Sequence, residues 1–304
     1  MPKSATTQVS VLLATYNGEV YLQEQLDSIL NQTHPDINII ASDDGSTDTT
    51  LKILKSHNIQ THKGPCQGFT ANFFNLITKA PDDSAYYAFS DQDDVWESNK
   101  LQRAIDALEA LDTSKPALYC SRTALVDAHL APMGYSPLFK KKPHFLNEMV
   151  QNITGGNTMV FNQAGLKLLR QTKNPEKIAA HDWWTYLLIT GAGGTIIYDS
   201  IPSILYRQHP NNLIGNNMSY QARYHRLRLL FQGRLKTWIN QNNQNLLDVL
   251  HLLTPEHQAQ LKAFEHNRPR SLLPRLINLF KLGIYRQTVL GQIGLLFGIG
   301  FNKI

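Results

Sequence analysis

Residues 9–48 decide the fold: VSVLLATYNGEVYLQEQLDSILNQTHPDINIIASDDGSTD. The stretch holds two continuous apolar runs, residues 9–14 and 37–41, and runs of this kind suit strands that are buried on both faces. Between the runs, apolar side chains recur at helical spacing over residues 20–30. Capping-prone residues at 46–48 then precede another helical pattern. The stretch therefore predicts strand, helix, strand and helix in that order.

The alternation continues beyond this stretch. It predicts helices over residues 70–78 and 99–111 and strands over residues 85–90 and 117–120. Such alternation is typical of a parallel α/β sheet, which binds its ligands at the carboxyl ends of the strands. The following section is less regular, with strands predicted at 158–161, 194–198 and 203–207 and helices at 164–171 and 183–190.

Charge and composition change near residue 211. Residues 211–304 contain 12 Lys and Arg but 3 Asp and Glu, so the net charge of +5 divides into +9 there and −4 before it. Only helices are predicted beyond this point, over residues 220–240, 246–253 and 255–266 and from residue 272. We therefore predict a globular domain at residues 1–211 and a basic helical region at residues 212–304.

Composition excludes several classes of protein. A hydrophobic fraction of 42% with 17% charged residues is not that of a disordered chain or a coiled coil. The two cysteines, Cys66 and Cys120, are too few for a disulfide framework, so a reducing compartment is expected. Residues 1–8 lack the apolar core of a signal peptide, and no apolar run reaches the roughly 18 residues of a membrane span. We expect a cytoplasmic protein.

An acidic cluster follows the strand predicted at residues 85–90. Its sequence, Ser90-Asp91-Gln92-Asp93-Asp94-Val95-Trp96, places three carboxylates within four residues. Their mutual repulsion favours a bound cation, and Mg²⁺ typically takes one or two carboxylates together with substrate phosphates. The alternative is a solvated acidic loop.

Polar clusters also follow other predicted strands. Residues 15–18 (TYNG) and 43–48 (DDGSTD) follow the first two strands, although each alone is ordinary turn or capping chemistry. The absence of G-x-G-x-x-G and of G-x-x-x-x-G-K-[ST] argues against a dinucleotide or P-loop site.

Asp182 lies at the start of a predicted helix, beside two Trp residues. Burial against these rings would raise its pKa, and a carboxylate with a raised pKa is suited to act as a general base. The alternative is that Asp182 caps the helix and that the Trp residues belong to the core. Residues 206–212 (YRQHPNN) supply a cation and an imidazole for phosphate or metal.

Taken together, in their order and spacing, these clusters resemble the family 2 glycosyltransferases with the GT-A fold. The resemblance extends from residue 9 to about residue 212. It implies an α/β fold in which helices flank a Rossmann-like, mostly parallel sheet, and it leaves the C-terminal helical extension uncovered.

The resemblance also implies residue roles. Nucleotide-sugar binding is expected of Ala14, Thr15, Tyr16, Asp44, Asp91 and Arg207. Metal binding, of Mg²⁺ or Mn²⁺, is expected of Asp93 and His209. Asp182 falls at the catalytic base, although His181 replaces the acid that usually precedes it. The acceptor side is expected to include Gly155, Gly156, Asn157 and Trp183.

The implied activity is inverting, metal-dependent transfer of a sugar. The clusters are most similar to those of bacterial rhamnosyltransferases, which implies dTDP-L-rhamnose as donor and a lipid-linked saccharide acceptor in O-antigen or capsule biosynthesis. A UDP-hexose donor remains open. The other alternative is a non-catalytic, membrane-associated protein that binds nucleotide sugars. The oligomeric state is not predicted.

The basic region suggests a partner of its own. Residues 268–304 combine Arg and Lys with apolar positions at helical spacing, a pattern typical of helices that lie on an anionic membrane. We expect peripheral attachment to the inner face of the cytoplasmic membrane. The alternative is that these helices pack on the catalytic domain or on a second subunit. Nucleic acid is not expected, because no binding module accompanies the basic residues.

Overall fold

A computed structural model describes residues 7–209 and 233–304. The strands of this part of the chain are β1 (Val9–Thr15), β2 (Ile37–Asp43), β3 (Gln60–Lys63), β4 (Tyr86–Ser90), β5 (Val95–Trp96), β6 (Ala117–Ser121), β7 (Ala124–Val126), β8 (Pro132–Tyr135), β9 (Val160–Asn162), β10 (Thr195–Asp199) and β11 (Ile204–Arg207). The helices are α1 (Leu22–Leu30), α2 (Thr50–Ser56), α3 (Phe69–Lys79), α4 (Lys100–Glu109), α5 (Phe145–Glu148), α6 (Gln163–Leu169), α7 (His181–Gly191), α8 (Arg234–Asp248), α9 (Pro255–Asn267), α10 (Leu272–Leu282) and α11 (Val289–Gly300).

The main sheet has seven strands in the order β10-β6-β9-β4-β1-β2-β3. Strand β9 runs antiparallel to both of its neighbours, and the other pairs are parallel. Successive side chains of β1 alternate between two apolar cores: Val11 and Leu13 pack with α1 and α4, whereas Leu12 packs with α3 and α7. The predicted α/β class and mostly parallel sheet are confirmed.

A second sheet of four short strands, β5-β11-β7-β8, lies beside the acidic cluster. Strand β5 follows that cluster directly, and it pairs antiparallel with β11, which ends at Arg207. This pairing brings residues 207–209 against residues 91–94, more than a hundred positions earlier in the chain.

Several elements differ from the sequence-based prediction. Strands β3, β5, β7 and β8 and helix α5 were not predicted, because each is short and the edge strand β3 is polar and mostly exposed. Helix α8 is continuous across residues 241–245, where the sequence predicted a break. The first part of the helix predicted at 220–240, and the domain boundary at residue 211, lie outside the described residues.

The C-terminal helices pack through their inner faces on the part of the chain that carries the main sheet. Leu246 of α8, Leu261 of α9 and Leu295 of α11 are fully buried in the same apolar core as Trp183 and Trp184. Helix α10 ends at Gly283, whose φ of 71° favours glycine. In the ranges that the structure describes, no helix combines the length and apolarity that crossing a membrane requires.

Candidate active site

The carboxyl ends of β1, β2 and β4 meet at one edge of the sheet, because the three strands are parallel neighbours. There the side-chain amide of Gln92 accepts a hydrogen bond from the Tyr16 backbone N–H (2.8 Å) and donates one to the Tyr16 carbonyl (2.9 Å). A Cβ at position 18 would overlap that amide, which explains Gly18. The TYNG turn and the acidic cluster are therefore held together.

The paired acids after β2 are both anchored. Asp43 accepts hydrogen bonds from the Thr15 hydroxyl (2.9 Å) and the Ser46 backbone N–H (2.8 Å). Asp44 accepts from the backbone N–H groups of Cys66 (2.6 Å) and Gly68 (2.9 Å), which fixes the loop after β3. Both carboxylates are buried.

Of the residues predicted to contact the nucleotide, those on β1 differ in exposure. Ala14 and Thr15 are buried, whereas the Tyr16 ring is 57% exposed just after the strand. Tyr16 thus presents an aromatic face at the edge where the sheet carries its polar clusters.

The three carboxylates of the acidic cluster differ in their exposure to solvent. Asp94 is fully buried and accepts hydrogen bonds from the Asn157 side-chain amide (2.5 Å) and the Arg207 backbone N–H (3.2 Å). Burial, together with Asp93 and Asp91, raises the pKa of Asp94 well above its usual range. Asp91 and Asp93 are partly exposed.

Asp91 faces other acids across the site. Although Asp91 is partly exposed, loss of hydration in the crowded cluster raises its pKa to about 7; the charges of Asp93 and Asp182 add to that rise, whereas Lys100 opposes it. The predicted donor-binding acid and the predicted base thus lie within electrostatic reach of each other.

Lys100 is a buried amine behind the acidic cluster. Its side chain is fully buried, with Nζ 3.2 Å from the centre of the Trp96 ring and no hydrogen-bond partner in the described part of the chain. Burial lowers the pKa of Lys100 well below its usual range, and the charges of Asp94 and Asp91 oppose this change only in part. Sequence reasoning missed this residue; the signal was a lysine at a helix start shortly after three carboxylates.

Asp93 and His209, the two residues predicted to bind metal, are in direct contact. The His209 Nε2 atom lies 2.9 Å from Asp93 Oδ2, and the imidazole packs on Tyr21 at 4.9 Å between ring centroids. Residues 7–209 and 233–304 contain no group of three His, Cys, Asp or Glu side chains placed to hold a metal. This pair would need further ligands from substrate and water.

Arg207 is buried in protein contacts. Its guanidinium pairs with Glu24, donates to the carbonyl of Asp93 (3.0 Å) and donates to the carbonyl of Ala128 (2.6 Å). The side chain is about 2% exposed, and the guanidinium stacks over Tyr21 at 4.4 Å. This placement favours holding the acidic cluster in position over the predicted contact with the donor.

Asp182 lies in the first turn of α7, not at its cap, which is Ala180. Its carboxylate accepts hydrogen bonds from the backbone N–H of Trp183 (2.6 Å), the side chain of Asn152 and the backbone of Gly156. Burial outweighs these bonds and raises its pKa to about 6. A carboxylate with that pKa is ionised at neutral pH and basic enough to accept a proton.

The turn at residues 155–157 links the two acids. Gly156 contacts Asp182 through its backbone, while Asn157 donates to Asp94. A Cβ on residue 156 would overlap the His181 ring, so the backbone can pass this close to the ring only because residue 156 is glycine.

His181 fills an apolar cage. Its ring stacks on Phe73 at 3.7 Å and meets Phe89 edge-on at 5.1 Å, and neither nitrogen has a hydrogen-bond partner in the residues described. Burial lowers its pKa to about 3, so the ring is neutral at physiological pH. The residue that replaces the usual acid is therefore a packing group beside Asp182.

Trp183 is placed away from the surface. Its ring is 3% exposed, and its indole N–H donates to the carbonyl of Glu148 at 2.7 Å. The predicted contact with an acceptor is not favoured by this burial, because the ring belongs to the core beneath the site.

Comparisons with known proteins assign the chain to a family. The family model for glycosyl transferase family 2 matches residues 10–169, which is more than half of the chain. The chain belongs to glycosyl transferase family 2. The resemblance seen in the polar clusters is thus confirmed, and the protein is a glycosyltransferase.

Relatives and solved structures refine this placement. Over 234 residues, the family member described here is 34% identical to the dTDP-rhamnosyl transferase RfbG of Shigella flexneri, covering 72% of this chain and 78% of RfbG. Its fold is similar to that of S. aureus TarS 1–349 in complex with UDP, with a TM-score of 0.56, 20% identity and coverage of 97% and 80%. It is also similar to the mannosyltransferase PcManGT of Pyrobaculum calidifontis in complex with GDP-Man and Mn²⁺, with a TM-score of 0.50, 16% identity and coverage of 97% and 84%. These likenesses establish the GT-A type fold.

Proposed function

We propose that this family 2 glycosyltransferase transfers L-rhamnose from dTDP-L-rhamnose, with inversion, to a lipid-linked saccharide in surface polysaccharide biosynthesis. The observation that carries the chemistry is the position of Asp182: its carboxylate, with pKa about 6, lies within electrostatic reach of Asp91 at the edge of the sheet. The identity to RfbG over most of both chains supports the donor.

In the proposed reaction Asp182 takes the proton from an acceptor hydroxyl. The hydroxyl oxygen attacks the anomeric carbon as the bond to the diphosphate breaks, and the diphosphate leaves with the bonding electrons. One base opposite one leaving group gives a single displacement, hence inversion. Asn152 and Gly156 fix the carboxylate, so little reorganisation is needed.

Tyr16 and Asp44 are proposed to line the nucleotide-base pocket, and Asp91 to face the ribose. Asp93 and His209 would hold Mg²⁺ or Mn²⁺, because one carboxylate and one imidazole in contact leave room for phosphate oxygens and water as further ligands. The ion would neutralise charge on the departing diphosphate. The acceptor would approach the turn at residues 155–157.

The donor is tested by thermal shift with dTDP-L-rhamnose, a UDP-hexose and GDP-mannose, each with Mn²⁺. Binding to the folded state stabilises it, by about 2.7 kcal/mol when the ligand is at one hundred times Kd. We expect the largest rise in melting temperature with dTDP-L-rhamnose and slow release of dTDP. A larger rise in melting temperature with the UDP-hexose would identify that sugar nucleotide as the donor. Donor binding without release of the nucleoside diphosphate would favour the non-catalytic alternative.

The base is tested with Asp182→Asn, which keeps the shape of the side chain but cannot accept the proton. We expect transfer to fall by at least about 100-fold, the usual contribution of a positioned base, with donor binding unchanged. Asp106→Asn, on the exposed side of α4, is the matched control and should keep the wild-type rate. Near-normal transfer by Asp182→Asn with intact donor binding would refute the assignment.

A further inference from the structure

Helices α10 and α11 turn large apolar side chains outward. We call these residues the outer apolar surface: Leu272, Leu273, Ile277, Phe280, Val289, Leu290, Ile293, Phe297 and Phe301. Leu273 and Phe280 are each 67% exposed, and Leu290 is 77% exposed. The opposite sides of the same helices are buried, through Leu279 and Leu295. The exposure is therefore not a consequence of loose helices.

The outer apolar surface follows the helical period on both helices. Positions 273, 277 and 280 share one face of α10, and positions 290, 293, 297 and 301 follow one face of α11 and the turn after it. The two helices pack against each other, and the rings of Phe297 and Phe301 stack with their centroids 6.4 Å apart. Single exposed apolar residues are normal on a protein surface, whereas nine within thirty positions mark an interaction site.

The charge beside this surface is of one sign. Residues 268–304 contain six Lys and Arg and no Asp or Glu. Arg268 pairs with Glu265 of α9, while Arg268, Arg275 and Lys303 lie near Lys236 of α8. Burial and the repulsion of these three cations lower the pKa of Lys236. Arg268 and Arg275 line a cleft with the buried Leu279, whereas Arg270 and Lys281 are exposed on the segment that carries the outer apolar surface.

We propose that the outer apolar surface inserts into the interface of a bilayer that contains anionic phospholipids. Helices of 11 and 12 residues are too short to span a bilayer, but amphipathic helices that combine apolar and basic faces lie in the interfacial plane. A second copy of the chain fits less well, because a symmetric contact would bring two wholly basic segments together. The purpose of this docking rests on the proposed lipid-linked acceptor, although the docking itself needs no sugar donor.

The test is co-sedimentation of the full chain with vesicles, either phosphatidylcholine alone or phosphatidylcholine mixed equally with phosphatidylglycerol. We expect binding to the mixed vesicles at low salt, weaker binding at 1 M salt, where the Debye length falls to about 3 Å, and little binding to neutral vesicles. Leu273→Glu/Phe280→Glu should lower the partition coefficient at least tenfold. Ile201→Glu is the matched control, because Ile201 is 62% exposed on another part of the molecule.

Donor-induced thermal shift separates this proposal from the proposed reaction, because it needs no membrane and should be equal in all three proteins. The docking proposal is overturned if the wild type ignores anionic vesicles, or if the control loses as much binding as the double variant. It is also overturned if the double variant instead dissociates a dimer seen by sedimentation velocity while vesicle binding is unchanged. Failure of the donor to shift any of the proteins would count against the reaction alone.

Discussion

At the residue scale, the site depends on which charged groups the fold withdraws from water. His181 is buried as a neutral ring among Phe side chains, directly before the proposed base. An acid at this position would have to be buried without a partner, at a cost of several kcal/mol unless it took up a proton. The apolar cage thus explains why a neutral imidazole is accommodated at this position.

This burial predicts a pH-dependent stability. The pKa of His181 is about 3 in the folded state and about 6.5 in the unfolded chain, so the unfolded state binds the extra proton between these values. The folded state therefore loses about 1.4 kcal/mol per pH unit from this residue as the pH falls below 6.5.

His181→Gln removes the titration while keeping a polar side chain of similar size. Compared with the wild type, we expect its unfolding free energy, measured in urea, to fall less steeply between pH 6.5 and pH 4. His62→Gln, on the mostly exposed strand β3, is the control for replacing an imidazole outside the apolar core. Parallel curves for the wild type and His181→Gln would contradict the neutral, buried state of this ring.

At the scale of elements, the turn at residues 155–157 joins the acidic cluster to α7. Gly156→Ala would drive a Cβ into the His181 ring, which Phe73 prevents from moving aside. We expect a loss of about 1–3 kcal/mol in unfolding free energy, as for other overpacked sites, and a lower transfer rate because Asp182 is displaced.

Gly294→Ala provides the matched control for that substitution. Gly294 lies inside α11 with open space where a Cβ would stand, so alanine should stabilise the helix by up to about 1 kcal/mol without changing transfer. Urea unfolding and initial rates measure both effects. Equal behaviour of the two variants would argue against a steric role for Gly156.

The sequence predicted most elements whose residues are buried on both sides. Strands β1, β2 and β4 carry continuous apolar runs, which can be recognised from the local sequence alone. The polar clusters that follow these strands lie at one edge of the sheet. In the small sheet only β11 was predicted; β5, β7 and β8 were missed, because strands of two to four residues are stabilised by pairing with distant parts of the chain and not by a local pattern. This pairing buries Arg207, and its contacts with Glu24 and Ala128 join distant parts of the chain, so they could not be predicted from the local sequence.

At the scale of the whole molecule, one apolar core extends from the main sheet into the C-terminal helices. Leu261 of α9 is fully buried in it, together with Phe89 of β4 and Trp184 of α7. The described helices that follow residue 233 therefore share a core with the main sheet, while the boundary predicted at residue 211 lies outside the described residues. The change in charge along the sequence concerns residues at the surface, whereas the shared apolar core determines which parts of the chain unfold together.

This continuity predicts a single unfolding transition. Leu261→Ala should lower the unfolding free energy by about 2–5 kcal/mol and shift the signals of active-site and C-terminal probes together. Leu290→Ala, at a 77% exposed position, should change it by less than about 0.5 kcal/mol. Calorimetry combined with fluorescence of the Trp residues measures both. Two separate transitions, with Leu261→Ala affecting only one, would contradict a common core.

The paired hydrogen bonds between Gln92 and the Tyr16 backbone have a thermodynamic consequence. They join the turn proposed to receive the nucleotide base to the loop proposed to receive the cation. Two sites on one rigid unit cannot be ordered independently, so ordering of one by its ligand lowers the entropic cost at the other. Thermodynamic linkage then requires that the factor by which the cation raises nucleotide affinity equals the factor by which the nucleotide raises cation affinity.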